Sequence, residues 1–329
     1  MNNRFVVIGS NSFSGASFVS YLLKHGMSVI GIGRSVEPNQ VFLPYKWIDH
    51  KNFKFYQMDL NHNLSDIMGV TKNFEPDYVV NFAAQSMVAE SWKSPEDWFQ
   101  TNVVANVKLH DALRGCKFLK KYVHVSTPEV YGTCEGLIKE HTNYNPSTPY
   151  AVSRAAADMS LMSFYKAYNF PVVFTRAANV YGSGQQLYRI IPRTILFFML
   201  GKKLQLHGGG HSVRSFIHIN DVSEATMKIA MKAPIGEIYH LSTPRNISIR
   251  TLVEMIVKQM GADFKDHVEV VEERLGKDSA YLLDSTKARE TLGWNPKIDL
   301  EQGIEETIDW VRDNLQVLSK EFIDYIHKK

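Results

Sequence analysis

Ser126-Thr127-Pro128-Glu129-Val130-Tyr131-Gly132 and Tyr150-Ala151-Val152-Ser153-Arg154 hold the side chains of this chain best suited to chemistry. Thr127 offers a hydroxyl, Glu129 a carboxylate and Tyr150 a phenol, each at the end of a predicted strand or the start of a predicted helix. Such a set can take a proton from a hydroxyl and another from a neighbouring carbon. All three can converge on one sugar ring. Glu129 as a turn cap and Tyr150 as a core tyrosine are the plainer readings, and their joint occurrence with Thr127 favours chemistry.

A second chemical feature lies at the start of the chain. Phe5 to Ile8 reads as a strand that runs into Gly9-Ser10-Asn11-Ser12-Phe13-Ser14-Gly15, which opens a helix. Glycines there let the backbone approach a pyrophosphate seated on the positive helix end. The next strand closes with Gly31-Ile32-Gly33-Arg34-Ser35, without the acidic residue that usually receives the ribose hydroxyls of NAD. Arg34 and Ser35 suit a 2′-phosphate instead, so the expected cofactor is NADP, with NAD as the alternative and an exposed loop arginine as the plain reading. Asp59 and Leu60 would meet the adenine, and Ala83 and Ala84 would let the backbone lie close to the cofactor. Turn chemistry and helix packing would account for these four equally well. Asn11, Phe13 and Ser14 complete the cofactor set from the turn, and Tyr150 and Arg154 join it from the catalytic end. Together the two features point to redox chemistry on a nucleotide-linked sugar.

Holding these groups requires a sheet with helices on its faces. Short apolar runs at Phe5 to Ile8, Ser28 to Ile32, Lys54 to Met58, Tyr78 to Phe82, Tyr122 to Ser126 and Val172 to Arg176 alternate with amphipathic stretches. That alternation is the pattern of βαβ units around a parallel sheet. Trp92 to Arg114 and Tyr150 to Tyr168 read as two long helices with apolar surface to spare for a partner subunit. The expected fold is α/β: a Rossmann-type doubly wound parallel sheet with a smaller, interleaved C-terminal α/β substrate lobe. Residues 1–178 and 212–241 are assigned to the cofactor domain and 179–211 and 242–329 to the substrate lobe. In the second lobe Ser248 reads as a helix cap, Leu292-Gly293-Trp294 as a helix stop, and Ile304 to Val311 as a closing amphipathic helix.

Net charge is +3 with no basic run carrying interleaved aromatics, so no nucleic-acid surface is expected. Two cysteines, Cys116 and Cys134, make a disulfide framework improbable and a cytoplasmic setting the expectation. No stretch is long enough for a membrane span, so no membrane partner is expected. His207, His211 and His218 lack a cysteine or carboxylate at ligand spacing, and no metal is expected.

These residues resemble the extended short-chain dehydrogenase/reductase family over nearly the whole chain. Asn81-Phe82-Ala83-Ala84-Gln85-Ser86, Ser91 and Asn102-Val103 look most like the GDP-mannose 4,6-dehydratase group, and Thr127-Pro128-Glu129 resembles the Thr-x-Glu triplet of sugar-nucleotide 4,6-dehydratases. Arg176 to Gly182, Val213 to His218, Asp221-Val222 and Arg274-Leu275-Gly276-Lys277-Asp278 follow in the family's order. The resemblance implies an NDP-hexose, GDP-linked by preference, converted to a 4-keto-6-deoxy sugar. Thr127 would bond the 4-hydroxyl, Tyr150 would take its proton as hydride leaves C4, and Glu129 would take the C5 proton before water leaves C6. Hydride would then return to C6. Gln85, Ser86 and Asn179 would hold the sugar or diphosphate, Arg214 and Arg274 would clamp the diphosphate, and a homodimer or dimer of dimers is implied.

Departures from the family pattern keep alternatives open. Ser12 replaces the middle glycine of the turn, Pro128 cannot donate the proton that an aspartate supplies in many relatives, and Arg154 stands where lysine is usual. An NDP-sugar C4 epimerase or UDP-glucuronate decarboxylase shares the first oxidation. A non-catalytic protein that binds cofactor or sugar nucleotide is the reading from another class.

Overall fold

The computed structural model describes residues 3–134, 136–272 and 282–328. The first half runs β1 (Arg4–Ile8), α1 (Phe13–Lys24), β2 (Ser28–Gly33), β3 (Phe53–Gln57), α2 (Leu64–Phe74), β4 (Tyr78–Asn81), α3 (Pro95–Phe99), α4 (Asn106–Leu113), β5 (Lys121–Val125), β6 (Leu137–Ile138), α5 (Pro149–Tyr168) and β7 (Val172–Ala177). Then come β8 (Asn179–Tyr181), α6 (Ile190–Met199), β9 (Leu204–His207), β10 (Val213–His218), α7 (Ile219–Lys232) and β11 (Ile238–Leu241). The chain continues through β12 (Asn246–Ser248), α8 (Ile249–Gln259), α9 (Phe264–His267), β13 (Val268–Val271), β14 (Leu282–Leu283), α10 (Thr286–Leu292), α11 (Leu300–Asp313) and α12 (Leu315–Leu318).

Seven parallel strands form the main sheet in the order β11-β7-β5-β4-β1-β2-β3. Their central members are apolar on both faces, as a sheet covered twice by helices requires. Phe5 and Val7 pack toward α1 and α7, while Val6 and Ile8 pack toward the opposite helix layer. This is the Rossmann-type fold. The six strands read from the sequence all lie in it, and the seventh, Ile238-Tyr239-His240-Leu241, carries too short a run to declare itself.

The expected single helix from Trp92 to Arg114 is corrected. A 3₁₀ turn at Ala89–Trp92 is followed by α3, by wide π turns at Gln100–Ala105, and only then by α4. Pro95 starts α3 because it has no N–H to give to a preceding turn. Inside the π segment, Asn106 Nδ2 donates to the carbonyls of Thr101 and Asn102, satisfying oxygens that the wide turns displace. Asn102 turns inward to Gln85 and Ser153 and ties this segment to α5.

Two smaller sheets, β12-β10-β8 and β13-β9, stand apart from the main one. β10 pairs with β8 and β12, while β11 joins the main sheet. Trp294, Ala288 and Leu292 pack into the same apolar cluster as α1 and α7, and Trp294 Nε1 donates to the Asp221 carbonyl at 3.0 Å.

Candidate active site

Gly9, Arg34, Asp59, Ala83, Thr127 and Glu129 follow the carboxyl ends of parallel strands of the main sheet, where helix N-termini and loops leave a crevice. Gly9 follows β1 with φ +79, and a Cβ there would stand 2.7 Å from the Ala83 nitrogen. A Cβ on Gly15 would overlap the Gly9 carbonyl oxygen. Ser12, the departure between them, has φ −79 and ψ 163, an extended conformation that needs no glycine. Its hydroxyl donates to the Gly9 carbonyl at 2.7 Å and accepts from the Gly15 N–H at 3.2 Å, so it caps α1.

A cavity of about 260 Å³ opens beside this turn and is lined by Gly9, Asn11, Ser12, Arg34, Ser35, Asp59, Leu60, Ala83 and Ala84. The structure thus brings nine of the expected cofactor residues together here, while Phe13, Ser14, Tyr150 and Arg154 line the larger cavity and Gly15 lies beneath the turn. Asn11 Nδ2 bonds the Ser35 carbonyl at 2.9 Å and couples the turn to the end of β2. The first carboxylate after β2, Glu37, is engaged elsewhere: it accepts from the Tyr45 hydroxyl at 2.8 Å and pairs with Lys46 at 3.2 Å.

A larger cavity of about 910 Å³ is lined by residues of β9 and β10 on one side, and Thr127, Glu129 and Tyr150 share its lining. Thr127 leaves β5 in extended conformation and caps a 3₁₀ turn at Pro128–Tyr131, its Oγ1 accepting from the Glu129 N–H at 3.3 Å. Pro128 at the first position of that turn fixes the direction in which Glu129 leaves it. Thr148 caps α5 through the Ala151 N–H and Pro149 occupies its first turn, which sets Tyr150 at the helix mouth.

Tyr150 is buried and hydrogen-bonds Thr127. Burial first and the Glu129 carboxylate next raise its pKa above the usual tyrosine value, while Arg154 and the Thr127 bond pull it down. Arg154, one turn further along α5, is 2% exposed. Its guanidinium donates to the Val125 carbonyl and approaches His124 Nε2 at 3.4 Å. The site where the family carries lysine therefore holds a buried cation anchored on the last residues of β5. Behind it, Asp158 continues the same face of α5 and pairs with Arg176 at 2.8 Å, both side chains fully buried.

Ser86, Asn179 and Arg214 line the larger cavity, and Arg214 Nη1 also donates to the Val213 carbonyl at 2.8 Å. Gln85 does not line it. It is buried, its N–H donates to Asn102, and its Nε2 donates to the Lys328 carbonyl at 2.6 Å. Arg274 lies outside the described residues. Arg189, Arg193 and Lys203 are additional cations on the cavity wall that the sequence did not single out. Arg189 stands immediately before α6, where a basic residue at a helix start is the one signal that could have drawn notice. His207 and His218 lie on separate strands, and no metal-ligating group of three occurs among the described residues.

The sequence matches the GDP-mannose 4,6 dehydratase family over residues 6–307. The chain belongs to that family. It is 31% identical over 319 residues to a dTDP-glucose 4,6-dehydratase of Streptomyces niveus, covering 94% of this chain and 93% of that protein. A trifunctional UDP-glucose 4,6-dehydratase, 3,5-epimerase and 4-keto-rhamnose reductase of Arabidopsis thaliana is 33% identical over 268 residues. That match takes 80% of this chain but 40% of the plant protein's length. Among solved structures, dTDP-glucose 4,6-dehydratase of Bacillus anthracis in complex with NAD superposes with a TM-score of 0.87 at 31% identity, over 96% of this chain and 98% of that one.

Proposed function

We propose that this family member is a nucleotide-sugar 4,6-dehydratase that uses a nicotinamide dinucleotide. The observation that carries the reading is the shared wall of Thr127, Glu129 and Tyr150 in the larger cavity. Tyr150 takes the proton of the sugar 4-hydroxyl, which Thr127 orients. Arg154 favours the phenolate this requires: with Arg189, it is one of two cations that lower the pKa of Tyr150, and the stronger of them. With its pyrophosphate held at the Gly9–Gly15 turn, a bound dinucleotide would supply through its nicotinamide a hydride acceptor for C4 and a donor for C6. Once C4 is a ketone the C5 proton is acidic, and Glu129 removes it. With Pro128 beside it, Glu129 is also the group that returns a proton to the departing C6 hydroxyl.

Two finer assignments follow. The expectation of a GDP sugar leaned on Gln85, which is engaged with Lys328, and the relatives named above use dTDP and UDP sugars by their names, so a pyrimidine nucleotide is favoured. NAD is favoured by the similar dehydratase structures, which hold NAD, against the expectation of NADP drawn from Arg34 and Ser35, which line the smaller cavity. A homodimer fits the exposed apolar residues Phe99, Val104, Val152 and Met159 on α3, the π segment and α5. A cytoplasmic setting is in keeping with the reading, and no described helix is long and apolar enough to cross a membrane.

The test is mass spectrometry of dTDP-, UDP- and GDP-hexoses incubated with the protein in deuterated water. Dehydration gives a product lighter by one water with deuterium at C5. Glu129→Gln should still oxidise C4 but lose deuterium incorporation. A change of C4 configuration at unchanged mass would move the assignment to an epimerase, and loss of carbon dioxide to a decarboxylase.

A further inference from the structure

Arg154 is a buried cation held by neutral groups. Its Nη2 donates to the Val125 carbonyl and lies 3.4 Å from His124 Nε2, so two acceptors meet the two hydrogens of one nitrogen. It forms no ion pair among the described residues. Asp158, one turn further along α5, accepts at Oδ2 from Arg176 Nη2 at 2.8 Å and from Ser126 Oγ at 2.7 Å. Its Oδ1 stands 3.5 Å from His124 Nε2 and has no hydrogen-bond partner among the described residues. His124 thus sits between the two charges. It is fully buried on β5, its ring packed with those of Tyr122, Phe174 and His110 at centroid distances of 6.2, 6.0 and 6.2 Å.

We propose that His124 is a positioning residue for the first chemical step, its Nε2 holding the Arg154 guanidinium toward Tyr150 as a neutral acceptor. The catalytic consequence rests on the dehydratase reading above. A guanidinium has only hydrogens to offer, so its contact with Nε2 requires that nitrogen to be unprotonated, with the ring proton on Nδ1. Burial first, then the charges of Arg154, His110 and Arg176, hold the His124 pKa well below the ordinary histidine value, and the ring stays uncharged. A neutral acceptor fixes a cation without cancelling it. A carboxylate in the same place would neutralise Arg154 and leave less of its field for the phenol. Around Tyr150, Glu129 opposes Arg154 from the 3₁₀ turn, and Arg189, just before α6, aids it more weakly. Behind His124, Arg176 of β7 is paired with Asp158 and His110 of α4 is uncharged. The Tyr122 hydroxyl accepts from Asn81 Nδ2 at 2.9 Å and meets His110 Nε2 at 3.1 Å, so it is turned away from Arg154.

Nitrogen-15 NMR of the full chain labelled at histidine reads the positioning without turnover, the His124 signals being assigned by their loss in His124→Gln. Nε2 should stay unprotonated and Nδ1 protonated from about pH 5 to about pH 9. A protonated Nε2, or a ring that gains charge in that range, would overturn the proposal. Single-turnover C4 oxidation in a Glu129→Gln background then reads the consequence. In His124→Leu the rising limb should move about one unit to higher pH and the step at pH 8 should slow about tenfold, the effect of a guanidinium freed to about twice its distance. His124→Gln can offer an amide oxygen to the same nitrogen and should stay within about half a unit. With Arg154→Met already present, His124→Leu should add no shift, because the two residues act through one path. Circular dichroism establishes that each variant is folded. An unmoved limb in His124→Leu, a glutamine variant shifted as far as leucine, or an equal shift in the Arg154→Met background would each overturn the proposal. A parent that oxidises no dTDP-, UDP- or GDP-hexose would refute the dehydratase reading, and the nitrogen-15 spectrum would still decide the positioning.

Discussion

Removing the Arg154 charge should move the pH dependence of C4 oxidation by an amount the geometry sets. Tyr150 and Arg154 are one helical turn apart on α5 and are 8% and 2% exposed. Side chains at that spacing lie about 6 Å apart. Two unit charges at that distance and an effective dielectric near 20 interact by roughly 3 kcal/mol, or about two pH units on the titration of the phenol. Loss of the cation raises the pKa of Tyr150, whose base form is the active one, so the rising limb of the rate profile shifts to higher pH. At pH 8 the first step of Arg154→Met should therefore slow by about 100-fold. Arg154→Lys keeps the charge and should hold the limb within about half a pH unit. The assay is the single-turnover rise of reduced-nicotinamide absorbance in a Glu129→Gln background, where the reaction stops after C4 oxidation. Circular dichroism establishes that each variant is folded. Superposable profiles for the parent and Arg154→Met would refute the claim that this buried guanidinium sets the phenol's acidity.

Two further outcomes concern stability. Asp158→Ala leaves the Arg176 guanidinium buried without its carboxylate and should cost about 3–5 kcal/mol in urea unfolding, whereas a loss below ~1 kcal/mol would show that Tyr131 and Tyr144 suffice. Burial pushes His110 and His240 down to about 3 and His218 down to about 4, so all three are neutral in the fold and must charge on acid unfolding. Their contribution is whole above the ordinary histidine pKa near 6.5 and is lost as pH falls toward those lowered values. Each adds a slope of about 1.4 kcal/mol per pH unit, together about 4 between pH 6 and 4. Unfolding free energies that stay flat from pH 7 to 5 would count against neutral burial.

What the sequence could convey follows from which interactions are local. Gly9, Gly15 and Ser12 are legible because a strand, a positive φ, a close backbone approach and a helix cap all lie within seven residues. Tyr150 and its cap Thr148 are legible for the same reason. Trp92 to Arg114 misleads because its apolar spacing suits a helix, while its break comes from Asn102 and Asn106 reaching partners on other elements. Gln85 misleads more deeply. Its neighbours Ala84 and Ser86 line the larger cavity as a family motif would suggest, yet its own amide meets the main-chain carbonyl of Lys328, 243 residues away. A carbonyl has no letter in the sequence, and the contacts that bring it there, of Asp324 with Arg193, Tyr325 with Tyr188 and His327 with Trp98 and Asp97, are too sparse to leave a periodic pattern. The groups around Thr127, Glu129 and Tyr150 are thus written in local motifs, while the contacts of residues 324–328 are isolated and long-range.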